Sequence, residues 1–407
     1  MMDFHDVFIE ILMLLAVSIF VIGFAKLIKI PYSIALVIVG LILGLTEIPF
    51  FEASEQFITQ SNVFHAIIVS LFLPILLADA TLKMPMEHFM EFRRVSLTLA
   101  FVGTFFTFLI IGFSTYFLLG LPIPIAFTFA ALMSATDPIS VISIFKSLGV
   151  NKGLSTLMET ESLFNDGIAV VLFKIASVYL LTYIEMGLVG LGSGALLFLK
   201  FTIGGIIVGA ILGYAFSQII RIYDDYPLEI AFALLLYFGC YFIAEHFHFS
   251  GVIAVVIGGL IFGSYGSKVG MTETTKQNIN VFMDTITELA NSLIFLMVGL
   301  EIQNIDMENK WNMIFSGILI VLIARTISVY VSTSLSKKVP SKWKVILNWG
   351  GLKGSLSIAL ALSLPQTFEG RDTLLILTFT VVLFSLIIQG LTIKPIINKL
   401  GLSEKNE

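Results

Sequence analysis

The sequence is short of charge, of cysteine and of any stretch polar enough to stand in water. Of its 407 residues 13 % are charged and 57 % hydrophobic, with a mean hydropathy of +0.99. Soluble domains carry about 25 % charged residues, so a water-soluble globular fold is excluded. A single cysteine, Cys240, excludes an intramolecular disulfide and a cysteine-built metal cluster; it reads as a small apolar residue inside a helix. The sequence has no His-Glu-x-x-His, no Walker A loop and no Gly-x-Ser-x-Gly, so it gives no support for an enzyme, a bound cofactor or a nucleic-acid partner. Gly190-x-Gly192-x-Gly194 is expected in a short connection, without the strand–turn–helix setting of a nucleotide loop. The start, Met1-Met2-Asp3-Phe4-His5-Asp6, lacks a basic n-region and an Ala-x-Ala site, so the first apolar run is expected to be a membrane helix and not a cleaved signal.

What the sequence has is long apolar runs. At about 20 apolar residues per span, an all-α polytopic fold with thirteen transmembrane helices is expected, at roughly 7–27, 31–46, 63–82, 95–119, 122–146, 157–184, 195–220, 227–247, 250–267, 286–304, 311–335, 342–363 and 373–398. The longest polar connections are expected near 47–62 and 268–285, with no soluble domain between spans. With the N-terminus outside and the C-terminus in the cytoplasm, 17 of the 23 basic residues fall inside, against Lys310 and Arg371 outside. That is the positive-inside pattern, and one helix added or lost early would destroy it.

The chain also repeats itself. Ile34-Ala-Leu-Val-Ile-Val-Gly-Leu-Ile-Leu-Gly44 matches Ile253-Ala-Val-Val-Ile-Gly-Gly-Leu-Ile-Phe-Gly263 at eight of eleven positions, and Ser70-Leu71…Ala78-Asp79 is echoed by Ser292-Leu293…Leu300-Glu301. The first six spans would then correspond to the last six, displaced by an odd number of helices and therefore inverted. Inverted repeats place an ion site where two broken helices cross. The fifth expected span is interrupted at Ser134-Ala-Thr136-Asp137-Pro138, and the twelfth at Trp349-Gly-Gly-Leu-Lys353-Gly-Ser355. Pro and Gly in a span free backbone groups that need a new partner.

The chemistry concentrates at Glu161-Ser162-Leu163-Phe164-Asn165-Asp166. On a helix Ser162 and Asp166 stack at i and i+4, and Glu161 and Asn165 form the adjacent row. A charge at the centre of a bilayer costs about 2.5–3.5 kcal/mol even on the lenient scale, so these carboxylates need partners, protons or a cation. Burial favours the protonated form of a carboxylate and a bound cation the ionised form, so Asp166 can hold a proton or a hard monovalent cation such as Na+, but hardly both. Ser162 supplies a hydroxyl ligand and Thr136 a carbonyl freed by Pro138. Asp137 supplies a carboxylate, or caps the half-helix that follows. Asp79 is expected near the inside end of the third span, lining a funnel or sitting at the interface. Arg325, deep in its span, needs a carboxylate, and Glu161 is the candidate. Lys353 is expected to neutralise the crossing of helix ends, and Lys174 to snorkel. Gly205, Gly209 and Gly213 form a small-residue face for close helix packing within or between protomers. His5, His65, His88, His246 and His248 fall near helix ends or loops and are not read as part of the site.

These motifs resemble the monovalent cation:proton antiporter family, in the NhaP branch that includes sodium/proton exchangers. Ala135-Thr-Asp-Pro138, Glu161-Ser-Leu-Phe-Asn-Asp166, Leu73-Pro-Ile-Leu-Leu-Ala-Asp79, Ala324-Arg325 and Trp349-Gly-Gly-Leu-Lys-Gly354 stand in the family's order. The resemblance implies one membrane domain over 1–407 that forms a homodimer. Within it, approximately 63–184 and 286–398 would form a moving ion-transporting core, and approximately 1–62 and 195–267 a dimerisation scaffold. It implies Asp166 as the ion-binding, protonatable carboxylate beside Asn165, with Ser162 and Thr136 as Na+ ligands, Asp137 and Asp79 near ion or water, and Glu161 paired with Arg325. Asn165 in place of a second Asp implies electroneutral exchange of one Na+ or Li+ for one H+; K+/H+ exchange on the same scaffold is the nearest alternative, and a sodium-coupled solute symporter a more distant one. Lys353 departs from the arginine frequent at its position. A prokaryotic plasma membrane is the implied location, with lipid as the surrounding partner.

Overall fold

The computed structural model describes residues 4–28, 30–46, 70–84, 86–301, 310–336 and 339–403. Among these residues the chain is helical throughout, without strands, and nine helices are long and apolar enough to cross a membrane. In order the helices are α1 (Phe4–Ile28), α2 (Tyr32–Leu45), α3 (Leu73–Leu82), α4 (Phe89–Leu119), α5 (Ile123–Leu132), α6 (Ile139–Leu148), α7 (Lys152–Glu185), α8 (Leu188–Ile219), α9 (Tyr226–His246), α10 (Gly251–Val269), α11 (Glu273–Glu301), α12 (Trp311–Ser334), α13 (Ser341–Trp349), α14 (Ser355–Leu362) and α15 (Arg371–Leu400). This is a multi-pass membrane protein. Its outer surface is apolar: Phe20 and Leu27 are both 80 % exposed and Leu188 86 %, as suits a surface set in lipid.

Two groups of helices are distinguished by how they touch. In the first, backbones meet through glycine. A Cβ at Gly40 of α2 would collide with the α11 backbone at Leu296 and Gly299, and one at Gly299 with α2 at Val37 and Gly40. Gly205, Gly209 and Gly213 of α8 press on Ser250, Ala254 and Gly258, so this face is spent inside the protomer. Gly259 and Gly263 of α10 receive Thr81 and Leu82 of α3. Gly40 and Gly259 hold equivalent places in the two matching segments and do the same job. Cys240 is fully buried against Gly258. The second group, α4–α7 with α12–α15, packs on larger side chains and on polar bonds, among them Thr107 Oγ1 to Ser328 Oγ at 2.7 Å.

Several expectations are corrected. The Gly190–Gly194 run is not a connection: α8 begins at Leu188, because Leu188, Val189 and Leu191 extend its lipid-facing surface, and Gly190 lets the helix pass the Tyr183 carbonyl. The polar connection expected over 268–285 is mostly the exposed start of α11, whose first turns are stabilised by pairs such as Lys276–Glu273 at 2.8 Å. Helix α3 packs mainly on α10 and α11, and α11 mainly on α2 and α3. The connection at 47–62 and the position of His65 lie outside the described residues, as do the side chains of His5 and His88.

Candidate cation and proton site

Two helices stop in the middle of the protein and restart after a non-helical stretch. The first stops at Leu132 and restarts at Ile139, after Pro138; the second stops at Trp349 and restarts at Ser355. Backbone groups freed there cannot be left bare in an apolar interior, and several are met from the other break or a neighbouring helix. Asp137 N–H donates to the Leu352 carbonyl at 2.8 Å. Lys353 Nζ donates to the Ala135 carbonyl at 3.0 Å, and Lys353 N–H to Ser385 Oγ at 2.9 Å. Ser357 Oγ donates to the Leu132 carbonyl at 2.7 Å, and Gln389 Nε2 to that of Trp349 at 3.2 Å. Lys353 is 2 % exposed, so its ammonium is committed to the first break. Gly354 lies where a Cβ would strike Asp137.

Helix α7 runs past this junction with its polar face turned to it. Asn151 caps it, its side chain accepting from Gly153 N–H at 2.8 Å. Ser162 Oγ donates to the Thr136 carbonyl; Asn165 Nδ2 donates to Thr136 Oγ1 at 2.8 Å, and Thr136 N–H points at Asn165 Oδ1 at 3.4 Å. Asn165 thus holds the unwound segment by both its donor and its acceptor. One turn on from Ser162, the Asp166 carboxylate meets the Thr136 backbone, while its Oδ1 is buried with no hydrogen-bond partner among the described residues.

On the adjacent row Glu161, 1 % exposed, takes a two-pronged bond from Arg325: Nη1 to Oε1, and Nη2 to Oε2 at 3.0 Å. Nη2 also donates to the Leu347 carbonyl at 2.9 Å, so one guanidinium ties α7, α12 and α13 together. Gly351 is small because the guanidinium lies against it. Two carboxylates five residues apart therefore have opposite fates: Glu161 is saturated, Asp166 is not.

A cavity of about 1360 Å³ leads to Asp166. It runs from the exposed residues Glu91, Asn151, Lys152 and Asp284 down past Glu159 and Ser162. Beyond Asp166 the helix is sealed, with Ile168, Ala169, Val170, Val171, Leu172 and Phe173 all buried. Asp79 lines the same cavity but does not join the cluster around Thr136; Lys83 binds it and also Asp284. Lys174 does not snorkel. It binds Glu245 of α9 at 2.6 and 2.8 Å, and Glu245 Oε1 also accepts from Gly251 N–H at 3.0 Å, because Glu245 offers the half-buried ammonium an anion within direct reach. Sequence reasoning missed Ser385, Ser357 and the α11 residues Thr287 and Asn291. The last two were findable: with Asp284 and Glu288 they recur at the spacing of one helix face.

The family described as "Sodium/hydrogen exchanger, transmembrane" matches residues 13–399. The Na(+)/H(+) antiporter NhaH of Halobacillus aidingensis is 66 % identical over 403 residues, which is 99 % of this chain and 100 % of that protein. The Na(+)/H(+) antiporter NhaG of Bacillus atrophaeus is 53 % identical over 406 residues, 100 % of this chain and 77 % of that one. Among solved structures, the sodium proton antiporter MjNhaP1 from Methanocaldococcus jannaschii at pH 8 has the same fold, with a TM-score of 0.78 at 23 % identity, covering 98 % of this chain and 100 % of that one. The match spans the helices that build the junction, the saturated pair and the cavity alike, and the chain belongs to the sodium/hydrogen exchanger family.

Proposed function

We propose that the protein is an electroneutral Na+(Li+)/H+ antiporter of a prokaryotic plasma membrane, in which one carboxylate, Asp166, carries either the cation or the proton. The observation that carries this reading is the unpartnered Oδ1 of Asp166 at the floor of a one-sided cavity, within a turn of Ser162 and against the Thr136 backbone. A protonated Asp166 leaves the site neutral. An ionised one attracts Na+, for which Ser162 Oγ and the Thr136 carbonyl are oxygen ligands of the right hardness. Asn165 positions the Thr136 segment, Asp137 and Lys353 fix the junction, and the Glu161–Arg325 pair holds α7. With one exchanging carboxylate, one proton leaves for each cation that enters, and no net charge moves.

The two helix groups fit alternating access. We read α4–α7 with α12–α15 as the moving bundle and α1–α3 with α8–α11 as the frame, a division that leaves α3 and α11 outside the bundle. The empty, charged site is costly to carry through the apolar barrier and either loaded form is not, so only exchange proceeds. Lys146 and Lys152 at the open end of the cavity support an inward-facing state of a thirteen-span chain with its N-terminus outside, and the two helix breaks support a crossing of two half-helix pairs. Dimerisation would use the frame's lipid-facing surface.

The test is cation-driven proton movement in proteoliposomes, with Na+, Li+ and K+ added in turn. Na+ and Li+ are expected to move protons at a rate independent of membrane potential; a response to K+ alone would make the protein a K+/H+ antiporter.

A further inference from the structure

We propose that the cavity contains a second cation position on its α2–α11 wall, where the side-chain oxygens of Thr287 and Asn291, beside Tyr32, hold a partly dehydrated Na+ or Li+ before it reaches Asp166. The inference rests on the reading of Asp166 as the exchange site and adds a staging point to it.

Helix α11 presents one polar stripe to the cavity: Asp284, Thr287, Glu288 and Asn291, at i, i+3, i+4 and i+7. The two acids on it already have cationic partners, since Lys83 binds Asp284 and Lys26 donates to Glu288 at 2.7 Å. The other two are not satisfied. Thr287 Oγ1 and Asn291 Oδ1 are buried without a hydrogen-bond partner among the described residues, and Asn291 is 1 % exposed. Both residues belong to the lining of the cavity, so these acceptors lie just behind its wall. A buried acceptor beside a polar channel is filled by something that supplies positive charge or a proton.

The surroundings select the former. Tyr32 of α2 meets the Asn291 side chain and lies in the field of Asp137, Glu288 and Asp79, all negative. Asp137 in turn acts electrostatically on Asp166, so the wall position and the exchange site share one anionic neighbour. Sodium prefers oxygen ligands, and uncharged hydroxyl and amide oxygens hold it loosely enough to release it onward. The wall is also fixed. Gly40 and Gly299 bring α2 and α11 into backbone contact, so Tyr32 and Asn291 keep their spacing while α7 moves.

The test uses the full chain in two formats. In detergent, the thermal midpoint of Asp166→Asn is measured with rising Na+ against choline at constant ionic strength. Na+ is expected to raise it, and the rise is expected to vanish in Asp166→Asn with Asn291→Leu or with Thr287→Val; two variants keep the test valid if one misfolds. In proteoliposomes with Asp166 intact, Thr287→Val and Asn291→Leu are expected to raise the KM for Na+ about tenfold, with the loss falling on KM more than on maximal rate. No Na+-specific stabilisation of Asp166→Asn, or an unchanged KM in both variants, overturns the second position. Exchange activity in Asp166→Asn would instead overturn the exchange-site reading, a separate result.

Discussion

The frame and the bundle solve the same problem, close packing of helices in lipid, by different means. In the frame, Gly40 against Gly299 and the Gly205–Gly209–Gly213 face of α8 against α10 bring backbones together with nothing titratable between them. In the bundle, the contacts at the junction are made by groups that carry charge or lack a helix: Arg325 on Glu161, Lys353 on the Ala135 carbonyl, Asp137 N–H on Leu352. Lipid gives no hydrophobic reward for helix association, so small-residue contact suffices for a rigid support. A site that must lose and regain charge needs polar groups with alternative partners. On the proposed reading, the difference gives rigidity to one region and chemistry to the other.

That contrast can be broken first at its chemical end. Asp166→Asn should abolish cation-driven proton movement while leaving the protein folded, since the amide keeps the shape and loses the charge. Removing one member of the saturated pair is next: Arg325→Met should cost about 3–5 kcal/mol by leaving Glu161 buried and uncompensated. Thermal unfolding in detergent reads this, and Arg325→Met with Glu161→Leu should recover a large part of the loss. A glycine comparison separates the regions directly. Gly354→Ala would drive a methyl into Asp137 and is expected to cut exchange sharply, whereas Gly209→Ala, at an overpacking cost of about 1–3 kcal/mol, should lower thermal stability and leave the cation response intact. The smallest effect is at the boundary. Lys174→Met removes a partly exposed pair with Glu245, and the stability change should stay below about 1 kcal/mol. If the bundle slides against the frame, however, the same variant should change the turnover rate.

The pH dependence follows from competition at one carboxylate. In the proposed exchange protons and Na+ share Asp166, so acidification should raise the apparent KM for Na+ by up to about tenfold per pH unit, leaving the rate at saturating Na+ less affected. Alkalinisation should lower KM until it levels off, when the carboxylate is already ionised. Initial rates across a pH series check both limbs.

Much of this was readable beforehand, for physical reasons. Proline and glycine inside apolar runs mark helix breaks because the backbone must be re-satisfied, so Pro138 and Gly350–Gly354 announced themselves. Glu161, Asp166 and Arg325 stood out because charge within a span is expensive. The partners of the freed backbone groups were not readable, since Ser357 and Ser385 look like ordinary packing serines until the second break is placed against the first. Lys174 was misjudged because snorkelling and pairing need the same flexible stem; only the position of Glu245 on another helix decides between them. The start of α8 was misplaced because three glycines resemble a loop in sequence, although in α8 they permit close passage of a helix.

The central claim is that one carboxylate exchanges a proton for a cation without moving net charge. The most direct measurement reconstitutes wild type and Asp166→Asn in liposomes carrying an internal pH dye, adds Na+, and compares initial rates with the membrane potential clamped and free. The account predicts equal wild-type rates under both conditions and none in the variant. Wild-type rates that follow the potential, or activity in Asp166→Asn equal to wild type, would contradict it.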